Sequence, residues 1–147
     1  MIVESPYYEE INNNMVKSVL IELSKVNATY ERFEVPGSFE LPAAIRFTIG
    51  SETNNPERKK FDGYIALGCV IRGETSHYDY VCGESARGLN DLVLEHGIAL
   101  GYGVLTTENR EQAVARSSRD QHDRGGAAAR ACLAMIEIKR ELNLYPR

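Results

Sequence analysis

The segment RGETSH, Arg72–His77, puts an imidazole, a carboxylate and two hydroxyls beside a basic side chain. His77 is the residue type that donates and accepts protons near neutral pH. The segment runs from an apolar stretch into a helix start, where unpaired N–H groups and the positive dipole end are ready for an anion. Spacing alone leaves His77 as either a proton shuttle or a solvent-facing residue of a first helical turn. His77, Asp79 and Cys82 are metal-ligand types, but their placement on about one turn does not close a zinc site, so no metal is expected. Arg116 carries a planar fork that fits a phosphate, and it also fits an ordinary surface arginine near a helix end. Tyr7-Tyr8 is suited to stacking on a flat ring or to packing at a sheet edge. Glu40 opens a helix, where a carboxylate is favoured without any function. His96 and His122 read as structural, one closing a helix and one in the loop SRDQHDR. No Walker loop, GxGxxG or nucleophile elbow is present.

The elements that must position these residues follow from two alternating periods. Met1–Val3 is a short strand. Apolar residues recur at helical spacing from about Tyr8 to Val26, and Thr29–Val35 reads as a strand stopped by Pro36-Gly37. Leu41, Ala44, Ile45 and Thr48 mark a second helix with Pro42 in its first turn. The polar stretch Gly50–Lys60 is expected to be a surface excursion. Tyr64–Ile71, YIALGCVI, has the composition of a strand buried on both faces. Val81, Cys82, Ser85, Leu89, Leu92, Val93 and His96 then share one helical face ending at Gly97, with Ser76 and Asp79 spaced as a capping box. Ile98–Thr106 is a further strand, Asn109 caps a short helix through Ser117, and Ala128, Ala131, Met135, Ile138 and Leu142 mark a last helix.

Strands separated by helices make right-handed βαβ crossovers. The expected fold is therefore α/β, a three-layer sandwich with a four-stranded parallel sheet of flavodoxin-like type. Ligands of such sheets bind beyond the carboxyl ends of the strands. Those ends are Ser5–Tyr8, Pro36–Glu40, Cys69–His77 and Thr106–Asn109, where the polar residues singled out above are concentrated.

Composition bounds the rest. The chain has 147 residues, 43% hydrophobic and 26% charged with a net charge of −4, which suits a single domain over residues 1–147. This balance excludes a disordered chain, and mild acidity argues against nucleic acid as a partner. No apolar run approaches the ~20 residues of a membrane helix, and MIVESPYYEE lacks the flanks of a secretory signal. Cys69, Cys82 and Cys132 are widely spaced, as reduced thiols of a cytoplasmic protein would be.

Three stretches in register, VPGSFELP (Val35–Pro42), ALGCVIRGETSHYDYV (Ala66–Val81) and GVLTTENREQAVAR (Gly103–Arg116), strongly resemble the 6,7-dimethyl-8-ribityllumazine synthase family. The resemblance runs from about Tyr7 to Leu142. It implies a flavodoxin-like sandwich assembled into pentamers, and the penultimate step of riboflavin biosynthesis, in which a ribitylaminouracil and a butanone phosphate condense without metal or organic cofactor. It also implies that His77 transfers protons, and that Arg116 with Glu74-Thr75 holds the phosphate of the butanone. Tyr7, Ser38, Phe39, Glu40, Cys69, Val70 and Ile71 would bind the ribitylaminouracil. Tyr102 would reach that substrate from the neighbouring subunit, and Arg124 would be a basic contact across the same interface. Tyr7, Tyr102 and Arg124 differ in type from the residues usual at these positions, keeping ring or charge. A leading strand usual in the family has no counterpart here. SSRDQHDRG lacks a glycine that sixty-subunit members tend to carry, so the resemblance favours a pentamer over a shell, with functional association to riboflavin synthase.

Two other classes fit the same fold: a non-catalytic binder of lumazine or flavin, and a structural assembly subunit. The presence of both His77 and Arg116 weighs against a pure binder, which needs neither.

Overall fold

The computed structural model describes residues 1–55, 57 and 60–145. The chain runs β1 (Ile2–Glu4), α1 (Glu9–Ser24), β2 (Arg32–Glu34), a 3-10 turn (Ser38–Glu40), α2 (Leu41–Asn54), β3 (Tyr64–Ile71), α3 (His77–His96), β4 (Leu100–Thr107), α4 (Arg110–Ser117) and α5 (Arg124–Glu141). The strands form one parallel sheet in the order β2-β1-β3-β4. The expected α/β sandwich with a four-stranded parallel sheet is therefore present.

Strand alternation distributes the core between two faces. Ile2, Ile65, Leu67, Cys69 and Leu105 pack with Ile11, Met15 and Val19 of α1, Ala113 of α4 and Ala128 and Cys132 of α5. Val3, Tyr64, Ala66 and Val104 face the other way, onto Leu41 and Ile45 of α2 and Leu89 and Leu92 of α3. The unbroken apolar run of β3 is explained by its central place, paired with β1 on one side and β4 on the other. Truncating a side chain such as Leu67, fully buried here, costs about 2–5 kcal/mol in comparable cores.

Glycine decides how closely α5 approaches the sheet. A Cβ on Gly101 would collide with the backbone carbonyl of Ala128, and one on Gly103 would lie 2.7 Å from Leu67 and 3.1 Å from Ala128. The small residues opening α5 thus meet glycines on β4. Consequently Met135, Ile138 and Leu142, expected on the buried stripe of this helix, stand exposed, while Gly125, Ala128, Ala129 and Cys132 are buried. Of the expected stripe Ala128 alone is buried and Ala131 too is exposed, because contact at this seam selects smallness.

Further expectations need correction. α2 continues to Asn54, so the polar stretch from Gly50 begins as helix. It does so because Glu52 turns inward and accepts hydrogen bonds from the Tyr64 hydroxyl at 3.2 Å and the Phe61 N–H at 3.0 Å. Within that stretch, residues 56, 58 and 59 lie outside the described residues. β2 is confined to Arg32–Glu34, leaving Thr29 and Tyr30 outside it, and α1 ends at Ser24, leaving Val26 exposed. The capping box is absent: Ser76 is already helical (φ −67°, ψ −3°), so its hydroxyl does not cap, and the Asp79 N–H donates to the Ser76 carbonyl at 3.0 Å. β4 runs Leu100–Thr107, beginning two residues later than Ile98, and β1 runs Ile2–Glu4, one residue on from Met1–Val3, while two helix ends are as expected. Asn109 accepts from the Gln112 N–H at 2.9 Å, and Gly97 ends α3 in the left-handed conformation, φ 59°.

Candidate functional site

A cleft of about 430 Å³ opens at the carboxyl end of the sheet. It lies where the strand order reverses between β1 and β3, the crevice that open parallel sheets offer to ligands. Four segments supply its lining: Tyr7 and Tyr8 after β1, Gly37–Glu40 after β2, Cys69–Ile71 at the end of β3, and His77 with Val81 of α3.

Each segment has a local reason for its position. Beyond β1, the Ser5 N–H donates to the Leu67 carbonyl at 2.9 Å, so the chain stays tied to β3 as far as the tyrosines. The two rings meet edge to face, with centroids 5.0 Å apart, and Tyr7 remains 72% exposed. Pro36-Gly37 ends β2 and turns the chain into the 3-10 segment. Ser38 is buried there against Gly68 of β3, whose missing Cβ is the space its hydroxyl occupies. A Cβ on Gly37 would lie 3.0 Å from the Glu40 carboxylate, so that side chain folds back over its own turn. Phe39 presents its ring outward at 54% exposure.

At the end of β3, burial pushes the Cys69 thiol up to about 12. A thiol so protonated is a poor nucleophile and acts here as an apolar wall. Val70 and Ile71 are half-buried, in register with Thr106 and Thr107 of β4. His77 is the first residue of α3 and is exposed, and its N–H donates to the Thr75 hydroxyl at 3.4 Å. Glu74 and Thr75 are exposed in the loop leading into this helix, beside the cleft lining and not part of it.

Of the residues expected at a site, the cleft collects Tyr7, Ser38, Phe39, Glu40, Cys69, Val70, Ile71 and His77. Arg116, Tyr102 and Arg124 do not line it. Arg116 sits in the last turn of α4 and donates to the Gln112 carbonyl of its own helix at 3.4 Å. Tyr102 stands on β4, opposite Ala66 in register, where burial raises its phenol above the ordinary value. Arg124 opens α5 and is exposed. Gly37 and Val81 line the cleft without having been singled out as site residues, and Tyr8 lines it beside Tyr7, with which it was read as a pair that could stack or pack. Gly37 and Val81 each had a signal: Gly37 flanks the Ser38 turn, and Val81 lies one helical turn beyond His77 on the same face.

An aromatic face, a buried hydroxyl, a carboxylate, a strand-end backbone and an imidazole thus share one cleft. A helix N-terminus adjoins it. Such a set suits a flat polar ring held at the sheet end while an anionic group is handled at the start of α3. Among the described residues, no group of three or more His, Cys, Asp or Glu side chains could hold a metal ion, and no helix is long and apolar enough to cross a membrane.

Comparison with known proteins bears on the same residues. The family model for 6,7-dimethyl-8-ribityllumazine synthase matches residues 1–140. The chain is 47% identical over 143 residues to 6,7-dimethyl-8-ribityllumazine synthase 1 of Rhizobium meliloti, covering 97% of this chain and 92% of that one. It is 44% identical over 142 residues to the synthase of Agrobacterium fabrum, with 97% and 95% covered. The synthase of Paramagnetospirillum magneticum is 41% identical over 144 residues, with 98% and 96% covered.

Proposed function

Because the chain belongs to the 6,7-dimethyl-8-ribityllumazine synthase family, we propose that the cleft carries out that condensation. The reaction joins 5-amino-6-(D-ribitylamino)uracil to 3,4-dihydroxy-2-butanone 4-phosphate in the penultimate step of riboflavin biosynthesis. It yields 6,7-dimethyl-8-ribityllumazine, phosphate and water. The observation that carries the reading is the meeting of His77 with Tyr7, Ser38–Glu40 and Cys69–Ile71 in one cleft at the β1/β3 crevice.

In this reading the pyrimidine stacks on Tyr7 and is bounded by the backbone of Cys69–Ile71, with Ser38, Phe39 and Glu40 toward the ring and ribityl chain. An amine of the uracil attacks the ketone, and the carbinolamine loses water to an imine. Phosphate then leaves by β-elimination, and the second nitrogen closes the ring with loss of a further water. Every step moves a proton, and His77 is the group in the cleft suited to shuttle it. The loop at Glu74-Thr75, through its backbone N–H groups and the Thr75 hydroxyl, would receive the departing phosphate together with the start of α3 and Arg116. Much of the remaining acceleration comes from holding two substrates in reacting geometry.

Arg116, Tyr102 and Arg124 lie away from the cleft of their own chain, which supports a homo-oligomer in which Tyr102 and Arg124 serve a neighbour's site. The finer assignments are one domain over residues 1–147, a pentamer in preference to a sixty-subunit shell, a cytoplasmic location and functional association with riboflavin synthase.

The test is to mix purified protein with both substrates and follow the absorbance and fluorescence of the lumazine. Product formation supports the reading. Ring-ligand binding without turnover would make the protein a binder, and neither would make it a scaffold. Arg116→Ala should harm use of the phosphorylated ketone far more than uracil binding, whereas equal loss of both would make Arg116 structural.

A further inference from the structure

Resting on that reading, we propose that Arg72 is a positioning residue that staples the phosphate-receiving segment between β3 and α3 and masks two carboxylates from the incoming anion. Arg72 is the first residue after β3, and its backbone N–H extends the sheet by donating to the Thr107 carbonyl at 2.9 Å. Its side chain then reaches three places at once. Nε donates to Glu108 Oε2 at 2.8 Å, just past β4, and Nη1 lies 3.2 Å from Asp79 Oδ1 in the first turn of α3. The guanidinium carbon lies over the Tyr78 ring, 4.0 Å from its centroid.

These contacts enclose residues 73–77, which include Glu74, Thr75 and His77. One end of the segment is fixed by the Arg72 backbone and the other by Asp79 and Tyr78. Taken singly, such exposed ion pairs and ring contacts contribute little to stability. Their shared anchor matters more for geometry than for stability, because a planar fork held by two carboxylates and a ring has few other orientations.

Charge gives Arg72 a second role. Asp79 and Glu108 are both exposed, and Glu74 adds a third carboxylate within the segment itself. All oppose a phosphate approaching the start of α3. Arg72 ties up two of them, and its removal leaves both free to repel the anion.

Steady-state kinetics with each substrate varied in turn test this. Arg72→Ala should raise KM for the phosphorylated ketone by about tenfold, the equivalent of one lost charge contact, and leave KM for the uracil within about twofold. Adding Asp79→Asn to Arg72→Ala should recover about a third or more of that loss, which a merely destabilised loop would not show. Arg72→Lys, which keeps the charge and loses the fork, should fall between wild type and Arg72→Ala and guards against a folding artefact. Inorganic phosphate titrated against the His77 imidazole NMR signals gives the same ranking without turnover. An unchanged ketone KM, an equal rise for both substrates, or no recovery with Asp79→Asn overturns the proposal. A wild-type protein that binds phosphate in the expected ranking yet forms no lumazine would overturn the proposed reaction and leave the role of Arg72 standing.

Discussion

The buried carboxylates of this fold and the polar residues at the strand ends use the same chemical groups in opposite ways. Glu4 is fully buried and accepts from Asn12 at 2.6 Å and from Arg32 at 2.6 and 3.1 Å. Glu22 is likewise buried, with Lys25 of its own helix end at 2.7 Å, and with Arg119 at 3.0 Å and Arg130 at 3.2 Å joining α1 to α5 and the segment before it. Around the cleft, His77, Glu74, Thr75, Phe39 and Tyr7 are exposed. Burial with a full set of partners makes a carboxylate part of the scaffold. Exposure on a rigid crevice leaves side chains available to a substrate or to a second copy of the chain.

If that division is correct, damage to the scaffold should lower stability with little effect on turnover per folded molecule. The largest such loss is expected at the α5 seam. Gly101→Ala puts a methyl onto the Ala128 carbonyl, and thermal or urea unfolding should show a loss of about 3 kcal/mol. Glu4→Ala should follow with about 2 kcal/mol, reduced from the cost of a wholly buried pair because the Arg32 side chain is 40% exposed and can reach water. Either variant losing turnover per folded molecule more than about tenfold would break the division, since neither residue lines the cleft.

Gly68→Ala probes the boundary. Its new methyl displaces Ser38 and with it the turn that carries Phe39 and Glu40. Stability should fall by about 1 kcal/mol, and KM for the uracil should rise severalfold, by roughly five, with the ketone KM little changed. The smallest effect is expected from pH. The Lys25 side chain, with Arg119 and Arg130 behind it, holds the Glu22 carboxyl below its ordinary value of 4.5. Folding therefore favours the ionised form, and this contribution is complete above pH 4.5 and lost as pH falls through the lower folded value. Glu22→Gln should flatten the acid limb of a plot of Tm against pH and leave the neutral region less affected. An unchanged acid limb would separate Glu22 from the scaffold's charge balance.

Much of the layer order was legible because β3 is apolar throughout and α3 carries a long stripe closed by Gly97. The cleft was legible at Ser38–Glu40, Cys69–Ile71 and His77 because strand ends of a parallel sheet converge by topology alone. What escaped was decided by contact. The inward turn of Glu52 depends on Tyr64 and Phe61, which a polar stretch does not announce. The buried face of α5 depends on Gly101 and Gly103 on a distant strand, so bulk along the helix pointed to the wrong side. Ser76 and Asp79 have a capping spacing, but Asp79 is engaged by Arg72, four residues before the position where a capping pattern would look. Tyr102 and Arg124 were identified by resemblance and Arg116 also by its phosphate-matching fork, and their place outside one chain's cleft follows from where β4, α4 and α5 put them.

The most direct test is the rate of lumazine formation by wild type and His77→Ala, measured with both substrates saturating and Tm determined in parallel. The exposed imidazole sits on the rim, so Tm should hold to within about 0.5 kcal/mol of stability while the rate falls on the order of 100-fold and stays above background. An unchanged rate in a folded variant would remove His77 from the mechanism. A wild-type protein that forms no lumazine would contradict the account as a whole.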